Sequence, residues 1–121
     1  MYINNLKIIQ MFRGDTLTLI PIIKTGTNMY PEHYELTEKD TIYFALMEVH
    51  QKFEDAILKK VFDNTSPTDV NNDLIIKLDS SDTVDLLPGK YYYTIKMKHI
   101  NDDESFDVYT LLKETEFWIL N

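Results

Sequence analysis

"SSDTVDLLPGKYYYTIKM", residues 80–97, is the stretch whose reading decides how this chain folds. Ser or Asp opens a short helical pattern over residues 80–87, and Pro88-Gly89 stops it after about two turns. A strand starts at once. Its alternation sets Tyr91, Tyr93, Ile95 and Met97 on one face. The other face carries Tyr92, Thr94, Lys96 and Lys98, which suits solvent or a second partner. In immunoglobulin-like sandwiches the corner before strand F carries a tyrosine whose hydroxyl bonds back to upstream backbone, two residues ahead of a core cysteine. On that template Tyr91 is the corner tyrosine and Tyr93 takes the slot of the cysteine. The competing reading is that three tyrosines in a row reflect strand propensity alone.

Outward from this block the pattern is strands and short turns. Period-2 alternation runs through Leu6, Ile8, Gln10 and Phe12, and again through Leu17, Leu19, Pro21 and Ile23. Pro21 lies inside the second run, so that strand is expected at an edge or broken there. "TIYFALMEV" (residues 41–49) is apolar on both faces, as a central strand should be. "AILKKVFD" (56–63) and "DLIIKLD" (73–79) each fit a strand, the second with Leu74, Ile76 and Leu78 facing one way and Lys77 the other. "FDVYTLL" and "TEFWIL" supply one or two more. "TGTNMYPEH", "DNTSPTDVNND", "LLPGK" and "NDDES" read as turns. About seven to eight short strands with one helical turn near residues 80–87 predict an all-β, immunoglobulin-like β-sandwich. At 121 residues, with no internal repeat or low-complexity tract, residues 1–121 are expected to form a single domain.

Composition narrows the function. Without cysteine there is no disulfide, thiolate nucleophile or Cys-based zinc site. No run approaches the ~18–20 apolar residues of a membrane span, so no membrane partner is expected. The opening "MYINNLKIIQMF" lacks the basic start, apolar core and cleavage site of a signal peptide, and none is expected. Twelve basic against twenty acidic side chains give a net charge of −8, which argues against nucleic-acid binding.

An early "RGDT" leading into a strand, then "LDSSDTVDLLPGKYYYTIKM", then a closing "TLLKETEFWIL", resembles the small immunoglobulin-like structural proteins of tailed bacteriophages. The pattern is similar to that of the N-terminal domain of the phage baseplate upper protein family. It spans nearly the whole chain, but its motifs are structural. Glu114-Thr115-Glu116 stands where that family usually has glycine, which puts the last turn in question. The resemblance implies a virion or prophage structural part, of tail or baseplate type, and carries over no catalytic residue. It also bears on Arg13-Gly14-Asp15, a tripeptide that adhesive proteins offer to integrins. If Gly14 supplies a positive-φ turn and Asp15 caps it, the tripeptide is a strand-opening turn. Its neighbours Phe12 and Leu17 are both expected in the core, which ill suits an exposed adhesive tip.

No catalytic, cofactor-binding or metal-binding residue is assigned, and no cofactor is expected. His33, His50 and His99 form no HxH or HxxxH pair and are expected at the surface or rim. Ser66, Ser80, Ser81 and Ser105 lie in no GxSxG elbow. Gly14, Gly26 and Gly89 are too scattered for a phosphate-cradling loop. Asp69, Asn71 and Asp73 match the first three ligand positions of an EF-hand loop. Leu74 and Ser80 then stand where glycine and glutamate are required, so an Asn/Asp-rich hairpin loop is expected instead. Asp102, Asp103 and Glu104 mark another hairpin tip, with solvated charge as the default and a weak divalent-ion site as the alternative. Glu54-Asp55 lacks the apolar setting that separates carboxylate pKa values.

The leading expectation is a non-enzymatic phage virion module assembled in the bacterial cytoplasm. It would contact other phage structural proteins through sandwich edges and exposed aromatics, with a homo-oligomer as one option. The alternative is a carbohydrate-binding sandwich using Tyr92, Trp118, Tyr30, Tyr34 and Tyr43 as stacking platforms. A small hydrolase ranks last.

Overall fold

The computed structural model describes residues 1–27 and 29–121. The chain is an all-β sandwich. Its strands are β1 (Tyr2–Ile3), β2 (Ile9–Phe12), β3 (Leu17–Leu19), β4 (Ile23–Gly26), β5 (Pro31–His33), β6 (Asp40–Met47), β7 (Leu58–Phe62), β8 (Ile76–Leu78), β9 (Gly89–Ile100) and β10 (Phe106–Leu120). A short helix α1 (Ser80–Thr83) precedes β9, and a single 3-10 turn spans Phe53–Asp55.

One layer is a five-stranded sheet in the order β2-β10-β9-β6-β7. All its pairings are antiparallel except that of β2, which runs parallel to β10 with Ile9 opposite Phe117. The other layer joins a β1-β4-β5 sheet and a β3-β8 pair. Side chains of both layers share one core. Ile3, Leu19, Ile23, Ile76 and Leu78 meet Met11, Ile42, Phe44, Tyr93, Ile95 and Phe117 there. Tyr93 is fully buried at its centre, edge-on to Phe117 at 5.8 Å, and its hydroxyl donates to the Lys7 carbonyl at 2.6 Å. That burial pushes the Tyr93 hydroxyl up to about 12.

The corner before β9 is built as the block at residues 80–97 predicts. The Asp79 amide donates to the Asp82 carboxylate at 2.7 Å, closing the first turn of α1. The Leu86 amide then bonds the Thr83 carbonyl, so the helical turn tightens and ends sooner than residue 87. The Tyr91 hydroxyl donates back to the Leu87 carbonyl at 2.5 Å, with the ring buried. Tyr91, Tyr93, Ile95 and Met97 are all buried on the inner face. Gly14 has φ +83, the left-handed turn expected of it, and its amide donates to the buried Thr83 hydroxyl at 3.0 Å. The Asp15 amide closes the same turn onto the Phe12 carbonyl. Arg13-Gly14-Asp15 is thus a turn braced against α1.

Two expectations need correction, and two left open are settled. Phe12 is not in the core: it is exposed while its neighbour Met11 is buried. Pairing sets this parity, because Phe117 and Ile119 of β10 face inward and lie opposite Ile9 and Met11. The sequence is apolar in both phases there (Ile8 and Phe12, or Ile9 and Met11), so alternation alone could not choose. The expected turn across residues 25–33 contains β5, a strand with every residue exposed that pairs with β4; Asn28 of that turn lies outside the described residues. Of the two outcomes expected at Pro21 the second holds: the run is broken there into β3 and β4, with Pro21 itself buried. The last two stretches, expected as one or two strands, are one. Residues 114–116 continue β10 through register shifts at Thr110/Leu112 and Leu112/Thr115, and no turn intervenes.

Candidate functional site

The strongest concentration of chemistry stands on the outer face of the five-stranded sheet, the side turned away from the core. Registers place Tyr43, Ala45 and Met47 of β6 beside Lys96, Thr94 and Tyr92 of β9. Val61 and Lys59 of β7 flank them on one side, and Thr110, Val108 and Phe106 of β10 on the other. Alternation brings Lys90, Lys96 and Lys98 out along β9 because the odd positions of that strand fill the core.

Each of these ammonium groups lies over an aromatic ring. Lys96 Nζ is 4.5 Å and Lys59 Nζ 5.0 Å from the Phe53 ring centroid, one amine supplied by β9 and the other by β7. Lys98 stands 4.3 Å over Phe106. Lys90 lies 5.8 Å over Tyr92 and 5.7 Å over Trp118. Each pairing contributes about 0.5–1 kcal/mol at an exposed position. Among the described residues Lys96 and Lys98 have no carboxylate partner, and Lys90 has only Glu116 at 3.9 Å. Lys96 and Lys98 are therefore free of direct ion pairs, with Glu48 and Glu114 the acids that border the neighbouring clefts, on a chain whose net charge is −8.

The face is not flat. Leu111 and Leu112 are adjacent and both buried, where the register of β10 shifts twice against β9. The buried Thr94 hydroxyl donates to the Leu112 carbonyl at 2.6 Å and holds the irregular segment in place. Two clefts open beside it, both floored by Met47 and bordered by Glu114. One, of about 400 Å³, is walled by Phe53, Thr94, Lys96, Thr110 and Lys113. The other, of about 370 Å³, adds Tyr92 and the loop Glu48, Val49, His50, Gln51.

Of the aromatic side chains expected as stacking platforms, Tyr92, Trp118 and Tyr43 share this face, and Tyr43 meets Phe53 edge-on at 6.4 Å. Tyr30 is exposed on the far layer beside β5. Tyr34 is tied inward. Its hydroxyl donates to Asp40 at 2.6 Å, and the same buried carboxylate receives the Thr37 amide at 2.9 Å and faces His99 Nδ1 at 2.6 Å. Burial pushes the Asp40 carboxyl up, but the bonds from Tyr34, Thr37 and His99 outweigh it and hold it below its ordinary value. Burial, then the bond to Asp40, raises the Tyr34 hydroxyl. Every acceptor in this network is already engaged, which fits a structural pin.

The other polar candidates do not converge. His33 pairs with Asp73 at 2.6 Å and His50 is exposed with φ +65. Asp69 turns its carboxylate onto the amides of Asn71 and Asp73, each at 2.9 Å, which is loop closure. Asp103 binds the Ser105 amide and hydroxyl, while Asp102 pairs with Lys39. Glu54 and Asp55 are exposed in the 3-10 turn, and the Ser66 hydroxyl receives the Asp63 amide. Among the described residues no three His, Asp or Glu side chains gather as a metal-holding group. No helix among them is long and apolar enough to cross a membrane.

The outward lysines of β9 were visible in the alternation. Phe53 and Phe106 were not singled out, because a ring from a loop and a ring from a distant strand meet those lysines only in the folded sheet. No protein family, curated protein or solved structure matches this chain.

Proposed function

We propose that this chain is a non-enzymatic structural or assembly module of a phage or prophage virion, of tail or baseplate type, acting through protein–protein contacts on the outer face of its five-stranded sheet. One observation carries the contact reading: a single sheet face gathers half-exposed apolar side chains between lysines. Val61, Ile100, Phe106 and Val108 are each 45–60% exposed toward the end of the sheet where β9 closes. Such a face has the aromatic enrichment of an interface core, whereas scattered single apolar residues would mean nothing. The virion assignment rests on the similarity of the "RGDT" and "DTVDLLPGKYYYTI" blocks to phage structural modules. Mass spectrometry of gradient-purified particles from the host carrying this chain tests the reading. The wild type is expected in the particle fraction, and the Lys96→Glu/Lys98→Glu double variant is expected to stay outside it. A wild-type chain absent from particles overturns the proposal.

A carbohydrate-binding reading has one observation in its favour. Tyr92 walls the cleft of about 370 Å³ together with Glu48, Gln51 and Glu114, an aromatic plane beside polar groups. Against it, Lys90 lies over both the Tyr92 and Trp118 rings, where a sugar would have to stack. Glycan-array binding that Tyr92→Ala removes would favour this second reading.

A further inference from the structure

The cleft on the outer face sets lysines beside an aromatic ring, and the loop leaving β7, at the far end of the sheet from Met47, carries its complement. Val70 is 97% exposed, the most exposed large apolar side chain among the described residues. It stands between Asp69 and Asn71 at the tip of the loop leaving β7. That loop is firmly tied. Besides the two amides held by the Asp69 carboxylate, the Asp69 amide donates to the Asp73 carbonyl at 2.9 Å, and Thr68 bridges Leu74. An ordered loop loses little further conformational entropy on docking, so its bare valine is presented at low cost. Glu35 and Asp63 line the cleft of about 270 Å³ at its flank and make its surroundings acidic.

The 400 Å³ cleft on the outer face is its counterpart, with the Phe53 ring beside the almost fully buried Met47 for the valine and Lys96 and Lys113, against the single acid Glu114, for the loop's acids. The two cannot meet within one molecule. Ile42, near the start of β6, pairs with Phe62 at the end of β7 where the loop departs, whereas Met47 ends β6 at the other extremity. Pairing two outer faces would set lysine against lysine, which disfavours a face-to-face dimer.

We infer that the loop at residues 68–74 of one copy docks, Val70 first, in the Met47–Phe53–Lys96–Lys113 cleft of a second copy. This names the occupant of the docking face and rests on the reading of that face given above. The contact joins unlike surfaces, so each copy keeps a free loop and a free cleft and growth continues to a ring or a filament.

Sedimentation velocity on the intact chain over a rising concentration series tests it. The wild type is expected to pass beyond a dimer, and added salt is expected to shift the series back toward monomer. Val70→Asp and Lys96→Glu are each expected to be monomeric. An equimolar mixture of the two retains one working loop and one working cleft, and should stop at a 1:1 heterodimer. Lys113→Glu serves as a second cleft variant should Lys96→Glu fail to give a cooperative melt. A wild type that stays monomeric into the millimolar range overturns the inference. So does association that both variants leave intact, or a mixture that gives no heterodimer. A monomeric wild type that still enters virions would sink only this self-assembly contact, and the virion reading would stand.

Discussion

Tyr91 and Tyr92 differ by one position and by everything around them. The Tyr91 hydroxyl is committed to the Leu87 carbonyl under the α1 corner, and burial, then the nearby Glu48 charge, raises it above its ordinary value. Tyr92 lies half-buried on the outer face under Lys90. Tyr91→Phe removes a hydrogen bond and leaves a carbonyl unpaired, and should cost about 1–3 kcal/mol. Tyr92→Phe should cost much less. Equilibrium denaturation of the two variants decides it, and equal losses would mean that the corner bond contributes nothing. Asp40 gives a second expectation at this scale. Its folded carboxyl sits below the ordinary 3.8, so the native state binds fewer protons than the unfolded chain near that pH. The stability it contributes is complete above pH 3.8 and is lost as pH falls through the depressed folded value. Asp40→Asn should flatten this part of the acid limb in pH-dependent urea melts; an unchanged slope would assign the limb to other carboxylates.

Among the elements, the turn at Arg13-Gly14-Asp15 carries the clearest expectation. A Cβ on Gly14 would meet Val84 at an ordinary 3.7 Å, so space is not the obstacle. The obstacle is φ +83, and Gly14→Ala should cost about 1–2 kcal/mol from backbone strain alone. As an adhesive the tripeptide should be silent, because its backbone is committed to the β2–β3 turn. Divalent-dependent attachment of integrin-bearing cells to the wild type, lost in Asp15→Glu, would contradict that. What was legible here was local. The helical turn, Pro88-Gly89 and the alternation of Tyr91, Tyr93, Ile95 and Met97 follow from neighbours in sequence, and the fold class follows from them. The phase of β2 was not legible, since it depends on Phe117 more than a hundred residues away. Nor was β5, whose exposed Pro31, Glu32 and His33 carry no strand signal and pair only because β4 lies alongside. Only half of the candidate site could be read: the lysines had a periodicity, and the rings over which they lie had none.

For the molecule as a whole, stability should be independent of any metal. Asp40, Asp69, Asp73 and Asp102 are engaged by His99, backbone amides, His33 and Lys39, and among the described residues no three acids or histidines gather as a ligand set. Thermal melts with and without excess chelator should superimpose, and a drop of several degrees on chelation would reopen the loops at Asp69 and Asp102. The placement of β2 has a further consequence, for folding during synthesis. Among the described residues β2 pairs only with the stretch of β10 containing Phe117 and Ile119, so the long loop between them must close before β2 gains a strand neighbour. Closures of that span slow folding, toward the roughly millisecond-to-second times of β-sandwiches. While the ribosome is still making β9, Met11 and its strand have no pairing partner. The nascent chain therefore carries an unpaired strand through most of its translation, and a chaperone that binds early extended apolar stretches would find it there.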